Sequence, residues 1–325
     1  MKNPSISIIA PFYNEGSSDI INMFFSKLIP VLSGVSVDWE IICIDDGSSD
    51  NTYQKLLQYS KEDKRIKIVK FARNFGKEIA ISAGFRYSSK QCVIPMDSDL
   101  QDPVELIPVM IDEWKNGHLM VLAKRTKRNE GIIKRIGCFI FYKILKLFCD
   151  IQIPENTGDY RLVDRKIVDI FNTFTEKQRY VRGLWSWIGF EPKFIYFERP
   201  DRAAGKPTQN YKKLIKITID AVFSFSSMPL RIWTWIGSFI ALISFGFGSF
   251  VLVKAIFFGI EVPGWSSTMV MITFLGGIQL LSIGVIGEYI SRIYNEVKGR
   301  SLYVVSSEIN FDKSNNDDIN VKSSK

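Results

Sequence analysis

Two stretches near the C-terminal end constrain this chain more than any other feature. Ile232–Val253, "IWTWIGSFIALISFGFGSFVLV", and Val262–Gly287 contain no Asp, Glu, Lys or Arg. Each is long enough to cross the hydrocarbon core of a bilayer as a helix, which takes about 20 apolar residues. A pair of buried core helices is the competing reading. Two uncharged runs in succession, joined only by "GIEVPG", point instead to a transmembrane hairpin. Trp233, Trp235, Trp265 and Tyr289 lie near its ends, where aromatic side chains settle at the membrane interface. Arg199, Arg202, Lys206, Lys212, Lys213, Lys216 and Arg231 precede the first run, and Arg292, Lys298 and Arg300 follow the second. The turn between them carries Glu261 and neither Lys nor Arg, while Lys254 can snorkel at the far end of the first span. Positive charge stays on the cytoplasmic side, so both termini are expected there.

The formal net charge is +8, a balance that fits either nucleic acid or an anionic membrane surface. Its placement decides for the membrane. In "NYKKLIKITIDAVFSF" the residues Tyr211, Leu214, Ile215, Thr218, Val222 and Phe225 share one helical face, with Lys212, Lys213, Lys216 and Asp220 on the other. "IIKRIGCFIFYKILKLF" mixes Lys134, Arg135, Lys143 and Lys146 with bulky apolar residues. Basic amphipathic helices beside a membrane anchor lie in the headgroup layer; packing on the rest of the protein is the alternative. No nucleic-acid-binding motif is present, and no nucleic acid partner is expected. Cys43, Cys92, Cys138 and Cys149 are scattered without metal-ligand spacing, as in a reducing, cytosolic compartment. The single histidine, His118 in "KNGHLM", reads as a loop residue and rules out a His-rich zinc site. The N-terminal apolar run is cut by Pro11, so no cleavable signal peptide is expected. The final "DKSNNDDINVKSSK" is polar and reads as disordered.

The first part of the chain alternates short apolar runs with helical stretches. "SISIIA", "WEIICI", "RIKIVKF", "QCVIPM" and "LMVLA" read as strands, with helices at Ser17–Leu32, Asn51–Ser60, Phe75–Ser88 and Pro103–Asn116. Nearly all-apolar strands suit a parallel sheet covered on both faces. The order predicts an open, doubly wound α/β sheet, whose ligands bind at the carboxyl ends of the strands. "PFYNE", "DDGSSD" and "DSDLQD" each follow a strand directly and would crowd onto that edge.

The densest charge is in "MDSDLQDPVE", with Asp97, Asp99, Asp102 and Glu105. Asp97 and Asp99, one residue apart after a strand, can face a hard cation such as Mg²⁺ or Mn²⁺ that leaves positions open for phosphates. Asp102 and Glu105 flank Pro103 at an expected helix start, where carboxylates suit the helix dipole. Asp45 or Asp46 could accept hydrogen bonds from a base or a ribose, or the "DDGSSDNT" turn could simply cap the next helix. No G-x-G-x-x-G follows a strand and no Walker A loop is present, which argues against a dinucleotide oxidoreductase or a P-loop NTPase.

The series P-x-x-N-E, D-D-G-S and D-x-D on successive strand ends resembles the family 2 inverting glycosyltransferases. "ARNFGKEIAISAGF", "DSDLQDP", "GDYRLV" and the two C-terminal spans resemble the polyprenyl-phosphate branch, relatives of dolichol-phosphate mannose synthase, and within it the bactoprenol glucosyltransferases. The resemblance covers about Ile6 to Arg300 and implies a nucleotide-sugar-binding (GT-A) α/β domain over residues 1–200. An amphipathic juxtamembrane segment (201–231), two spans (232–256 and 264–288 within 232–290) and a cytoplasmic tail (291–325) would follow, anchored in a bacterial inner membrane. It implies Pro11, Tyr13, Asn14, Glu15, Asp45, Asp46, Lys77 and Asp97 around a UDP-sugar, and Asp97, Asp99 and Gln101 around Mg²⁺ or Mn²⁺. It further implies Asp159, Arg161, Arg125 and Arg202 at the donor–acceptor junction, with Arg125, Arg199, Arg202 and Thr208 toward the phosphate of a polyprenyl phosphate. Two positions depart from the family pattern: Lys206-Pro207-Thr208-Gln209 stands where relatives have Ser/Thr-Lys, and Val104 where they have a second Pro. The reaction implied is direct displacement with inversion, from UDP-α-glucose to β-glucosyl polyprenyl phosphate, with galactose, N-acetylglucosamine or mannose as alternative sugars.

Two other readings compete. A processive polysaccharide synthase carries Q-x-x-R-W and more spans, whereas "QRYVRGLW" has Gln178 and Arg182 at another spacing. A non-catalytic membrane adaptor would have no use for Asp97, Asp99 and Arg202 together. Small residues, Ser244 and Gly248 in the first span and Gly276 and Gly277 in the second, permit close helix contacts and lead us to expect a homo-oligomer.

Overall fold

The computed structural model describes residues 4–36, 38–126, 154, 156–177, 179–198, 228–258 and 264–311. Arg199, Arg202, Thr208, Gln178, both basic amphipathic stretches and the final polar segment lie outside the described residues.

Among the described residues the strands are β1 (Ser5–Phe12), β2 (Asp38–Asp45), β3 (Ile66–Phe71), β4 (Cys92–Pro95), β5 (Met120–Arg125), β6 (Thr157–Asp164), β7 (Lys193–Phe197) and β8 (Val305–Ile309). The helices, numbered in chain order, are α1 (Ile20–Val35), α2 (Thr52–Glu62), α3 (Lys77–Tyr87), α4 (Leu106–Lys115), α5 (Arg165–Thr173), α6 (Val181–Ile188), α7 (Met228–Phe258) and α8 (Trp265–Val297). The strands form one sheet in the order β7-β5-β6-β4-β1-β2-β3-β8. β4, β1, β2 and β3 pair in parallel, as their apolar sequences predict. The sheet as a whole is mixed rather than parallel, because β6 runs antiparallel between β4 and β5, and β8 runs antiparallel to β3.

Both faces are covered, which is why the central strands are apolar at successive positions. On one face Phe24, Phe25 and Leu28 of α1 pack with Ile107 and Met110 of α4 against Ile6, Ile8 and Ile41. On the other, Ile81 and Phe85 of α3 meet Phe171 of α5 and Trp185 of α6 over Ile9 and Val93. Phe171 and Trp185 stack at 4.2 Å.

After β3 the chain returns past β1 to form β4, so the strand order switches direction between β1 and β4. A crevice opens at such a switch, outside the carboxyl ends of the strands. The loops after β1 and β4 flank it, and the antiparallel β6 delivers Gly158 and Asp159 to the same edge. His118 precedes β5 and therefore lies at the opposite edge, within 3.5 Å of Glu113.

α7 and α8 are long and apolar enough to cross a membrane; with 31 and 33 residues they measure about 46 and 50 Å. α8 outruns the uncharged stretch by a further ten residues, including an Arg292–Glu288 pair at 2.8 Å. The chain then returns to the sheet: Val305–Ile309, in the segment read as a tail, are the edge strand β8. Cys43 and Cys92 are buried free thiols.

Candidate active site

The crevice is first built by backbone. Asn14, left-handed at φ +53, accepts the Ser49 N–H on its side-chain oxygen at 2.9 Å and donates its own backbone N–H to the Ser48 hydroxyl oxygen at 3.0 Å. The Gly16 N–H donates to Asp50 at 2.8 Å. The loops after β1 and β2 are thereby locked together, with Pro11 at the end of β1 and Tyr13 half-exposed beyond it. Asp45 is fully buried; its Oδ1 accepts the Ser48 N–H at 3.0 Å, and its Oδ2 has no partner. Asp46 accepts the Phe75 and Gly76 N–H groups at 2.7 and 2.9 Å. Of the two carboxylates, Asp46 therefore holds the β3–α3 loop, and Asp45 keeps an unfilled acceptor. Gly47 stands between the two loops at φ +68, and a Cβ there would lie 2.3 Å from the Arg73 carbonyl carbon. Only glycine fits both the conformation and the approach.

Across the crevice, Ser98 donates to Glu15 Oε1 at 2.6 Å, tying the loop after β4 to the loop after β1. Glu15 therefore faces the loop after β4, and α1 begins five residues later, at Ile20. Its Oε2 is buried without a partner. Burial, reinforced by Asp99, Asp97 and Asp50 against the Ser98 hydrogen bond, pushes its carboxyl up to about 7. Asp99 accepts the Gln101 N–H at 3.2 Å, and Gln101 is buried.

Glu105 occupies the N-cap position of α4, as expected at a helix start, whereas Asp102 lies before it and has another role. α4 starts at Leu106, a turn separates it from Asp102, and the Glu105 side chain makes no capping hydrogen bond. Asp102 is instead buried beneath the site, its Oδ2 accepting the Asp97 N–H at 3.4 Å, and burial together with Asp97 pushes it to about 7.

The other side of the crevice is an ion network. Lys77, the first residue of α3, holds both Asp97 oxygens at 2.6 and 2.8 Å and Asp159 Oδ2 at 3.2 Å. Arg182 of α6 donates to both Asp159 oxygens at 2.9 and 3.3 Å. Burial disfavours the Asp159 anion, but Arg182 and Lys77 outweigh it and hold its carboxyl well below the usual range. Arg161 is buried, with Nη2 on the Gly158 carbonyl at 2.8 Å and Nε 3.4 Å from the Asp159 carbonyl. Both contacts brace the Gly158–Asp159 backbone. Gly158 makes room for Arg125, whose Nη2 lies 3.1 Å from where a Cβ would project. Sequence reasoning missed Arg182 as a site residue. "QRYVRGLW" drew attention only as a mismatched polymerase motif, although it carries the arginine that clamps Asp159.

With this geometry in place, the comparisons with known proteins become informative. The chain matches the glycosyl transferase family 2 model over residues 7–171 and the GtrB C-terminal hairpin model over residues 228–293. It belongs to glycosyl transferase family 2, with a GT-A α/β domain, as its strand-end motifs led us to expect. It is 40% identical over 301 residues to the bactoprenol glucosyl transferase of Shigella phage SfII, covering 92% of this chain and 97% of that protein. It is 45% identical over 302 residues to an uncharacterized glycosyltransferase of Synechocystis sp., covering 93% and 94%. Among solved structures, glucosyl-3-phosphoglycerate synthase from Mycobacterium tuberculosis in complex with Mn²⁺, UDP-glucose and phosphoglyceric acid aligns at TM-score 0.46 and 17% identity, covering 68% of this chain and 79% of that one.

Proposed function

We propose that this glycosyltransferase moves glucose from UDP-glucose to bactoprenol (undecaprenyl) phosphate with inversion, giving a lipid-linked monosaccharide for cell-surface glycan modification such as that of O-antigen. The observation that carries this reading is the 40% identity to a bactoprenol glucosyl transferase across nearly the full length of both chains. The crevice supports it. Asp45 offers an unfilled buried acceptor for a base N–H or ribose hydroxyl, and Asn14 and Asp46 fix the loops around it. We place the catalytic domain and both termini at the cytoplasmic face of a bacterial inner membrane, with α7 and α8 as the two spans.

The residues after β4 fit a divalent cation. Asp97, Asp99 and the half-buried Glu15 are close enough that the first two raise the third, and Lys77 already shows that Asp97 takes a cation. Among the described residues no three acidic, His or Cys side chains form a complete metal cage. Asp97 and Asp99, with Gln101, would therefore hold Mg²⁺ or Mn²⁺ jointly with the donor's diphosphate. Bound there, the ion would neutralise charge on the departing UDP.

The acceptor needs little base catalysis. A phosphate monoester has a second pKa near 6 and is largely deprotonated at neutral pH. What it needs is cations to hold the phosphate and aim one oxygen at the anomeric carbon. Arg125 takes that role here, with Arg199, Arg202 and Thr208 proposed alongside it. Asp159, clamped between Arg182 and Lys77, is a poor proton acceptor; it orients those cations or a sugar hydroxyl. Protomers are proposed to associate through the small residues of the two spans, which the mass of the solubilised protein reads.

The test is transfer of label from a panel of nucleotide sugars to polyprenyl phosphate, with and without Mg²⁺ or Mn²⁺. Label should enter the lipid fraction from UDP-glucose alone, only with metal, at one sugar per lipid. Transfer from another donor would reassign the sugar, a ladder of products would favour a processive synthase, and no transfer by folded protein would favour the adaptor reading.

A further inference from the structure

A line of contacts runs from the second membrane helix to the wall of the donor crevice. Near the end of α8, Glu296 accepts the Lys177 N–H at 2.7 Å, and Gly299 (φ +62) turns the backbone out of the helix. The chain then fastens onto the sheet. The Ala72 N–H donates to the Val304 carbonyl at 2.9 Å, and β8 pairs with β3 from Phe71 to Ile68. The Tyr53 hydroxyl meets Ser307 at 3.0 Å, and the Asn310 amide donates to the Ser60 and Ile66 carbonyls at 2.8 Å each.

Covering the β3 edge would by itself be ordinary protection of an exposed strand. Tyr303 reaches further. Its ring stacks on Phe71 at 4.9 Å and 18°, and Phe71 meets Phe75 edge-on at 5.6 Å and 87°. The Phe75 N–H is one of the two backbone donors on Asp46. The same loop passes Gly47 at backbone contact and ends at Lys77. Loop 72–76 therefore closes on the Asp45–Gly47 turn with its phenylalanine propped on Phe71, which is itself propped on Tyr303.

We propose that Tyr303 is a positioning residue for the donor pocket: through Phe71 and Phe75 it holds loop 72–76 against Asp46, so that the strap leaving the membrane helix sets the affinity for the nucleotide. This rests on the reading of the Asp45–Asp46 turn as the nucleotide wall. Linkage makes the effect reciprocal, so a bound nucleotide tightens the strap.

The experiment uses the full-length protein in detergent or nanodiscs. UDP binding, donor KM and kcat are measured for the wild type, Tyr303→Ala and Tyr303→Phe, and amide exchange of β8 is followed with and without UDP. Tyr303→Ala should weaken UDP binding about tenfold and raise donor KM with kcat nearly unchanged. Tyr303→Phe, which keeps the stacked ring, should restore both, and UDP should slow exchange in β8. Wild-type UDP affinity in Tyr303→Ala, or a lower kcat at unchanged KM, would reduce the strap to a structural edge and overturn the proposal. Should Tyr303→Ala not fold, the exchange measurement decides alone, and absence of UDP-dependent protection overturns it. Failure of the wild type to bind UDP would instead remove the nucleotide reading beneath it.

Discussion

The two banks of the crevice are built by different physics. On the β1–β2 bank, carboxylates and amides are held by backbone N–H groups: Asp46 by Phe75 and Gly76, one oxygen of Asp45 by Ser48, Asn14 by Ser49, Asp50 by Gly16. On the β6 bank, Asp159 is held by the long side chains of Lys77 and Arg182. Backbone donors cannot rotate away, so the first bank is a preorganised mould. The second bank is held by charge pairs between side chains, so its geometry depends on Asp159 keeping both cations. Under the proposed function, the first bank would hold the donor and the second would face the acceptor.

Substitutions can break this contrast on either side. Asp159→Asn should have the largest effect. It leaves Lys77 and Arg182 without their shared anion and should lower kcat by about 10²–10³-fold without moving the pH–rate profile; a large alkaline shift would mean that Asp159 takes a proton. Arg182→Ala strands a buried carboxylate with one cation, Lys77. Loss of a partner from a buried ion pair costs about 3–5 kcal/mol; with Arg182 a third exposed the cost should be nearer 2–3 kcal/mol, read as a shift in the denaturation midpoint. Gly47→Ala attacks the other bank, placing a methyl against the Arg73 backbone in a left-handed turn. It should cost about 1–3 kcal/mol and appear mainly as a raised donor KM.

The smallest expected effect concerns pH. Glu78, at the start of α3, accepts the Val181 N–H at 3.0 Å, and burial with the neighbouring Asp159, opposed by Arg182, pushes its carboxyl from 4.5 to about 7. The folded state then binds more protons than the unfolded one between these values. This contribution to stability is complete below about pH 4.5 and is lost as pH rises through about 7. Glu78→Gln keeps the acceptor and removes the titration, so its melting temperature should fall less than that of the wild type across this window.

The same contrast explains what the sequence disclosed. The mould is written in short local segments, 11–16, 45–52 and 73–77, and each strand-to-loop motif could be read where it stood. The ion network joins Lys77, Asp159 and Arg182 across more than a hundred residues, and no local pattern records that Arg182 meets Asp159. Asp102 was misread because a helix start nearby explains an acidic residue equally well until burial is known. β6 and β8 escaped notice because "TGDYRLVD" and "VSSEI" mix polar with apolar residues, β6 lying beside a charged site and β8 at an edge. The two long C-terminal helices needed no partners to be legible, since length and lack of charge mark them as candidate spans.

The most direct test of the whole account is the anomeric configuration of the product formed from UDP-α-glucose and polyprenyl phosphate, read from the proton coupling of the released glucosyl phosphate. One displacement by the acceptor oxygen, aimed by Arg125 as proposed, predicts a β-linked product. An α-linked product, or none from folded and metal-supplied protein, would contradict it.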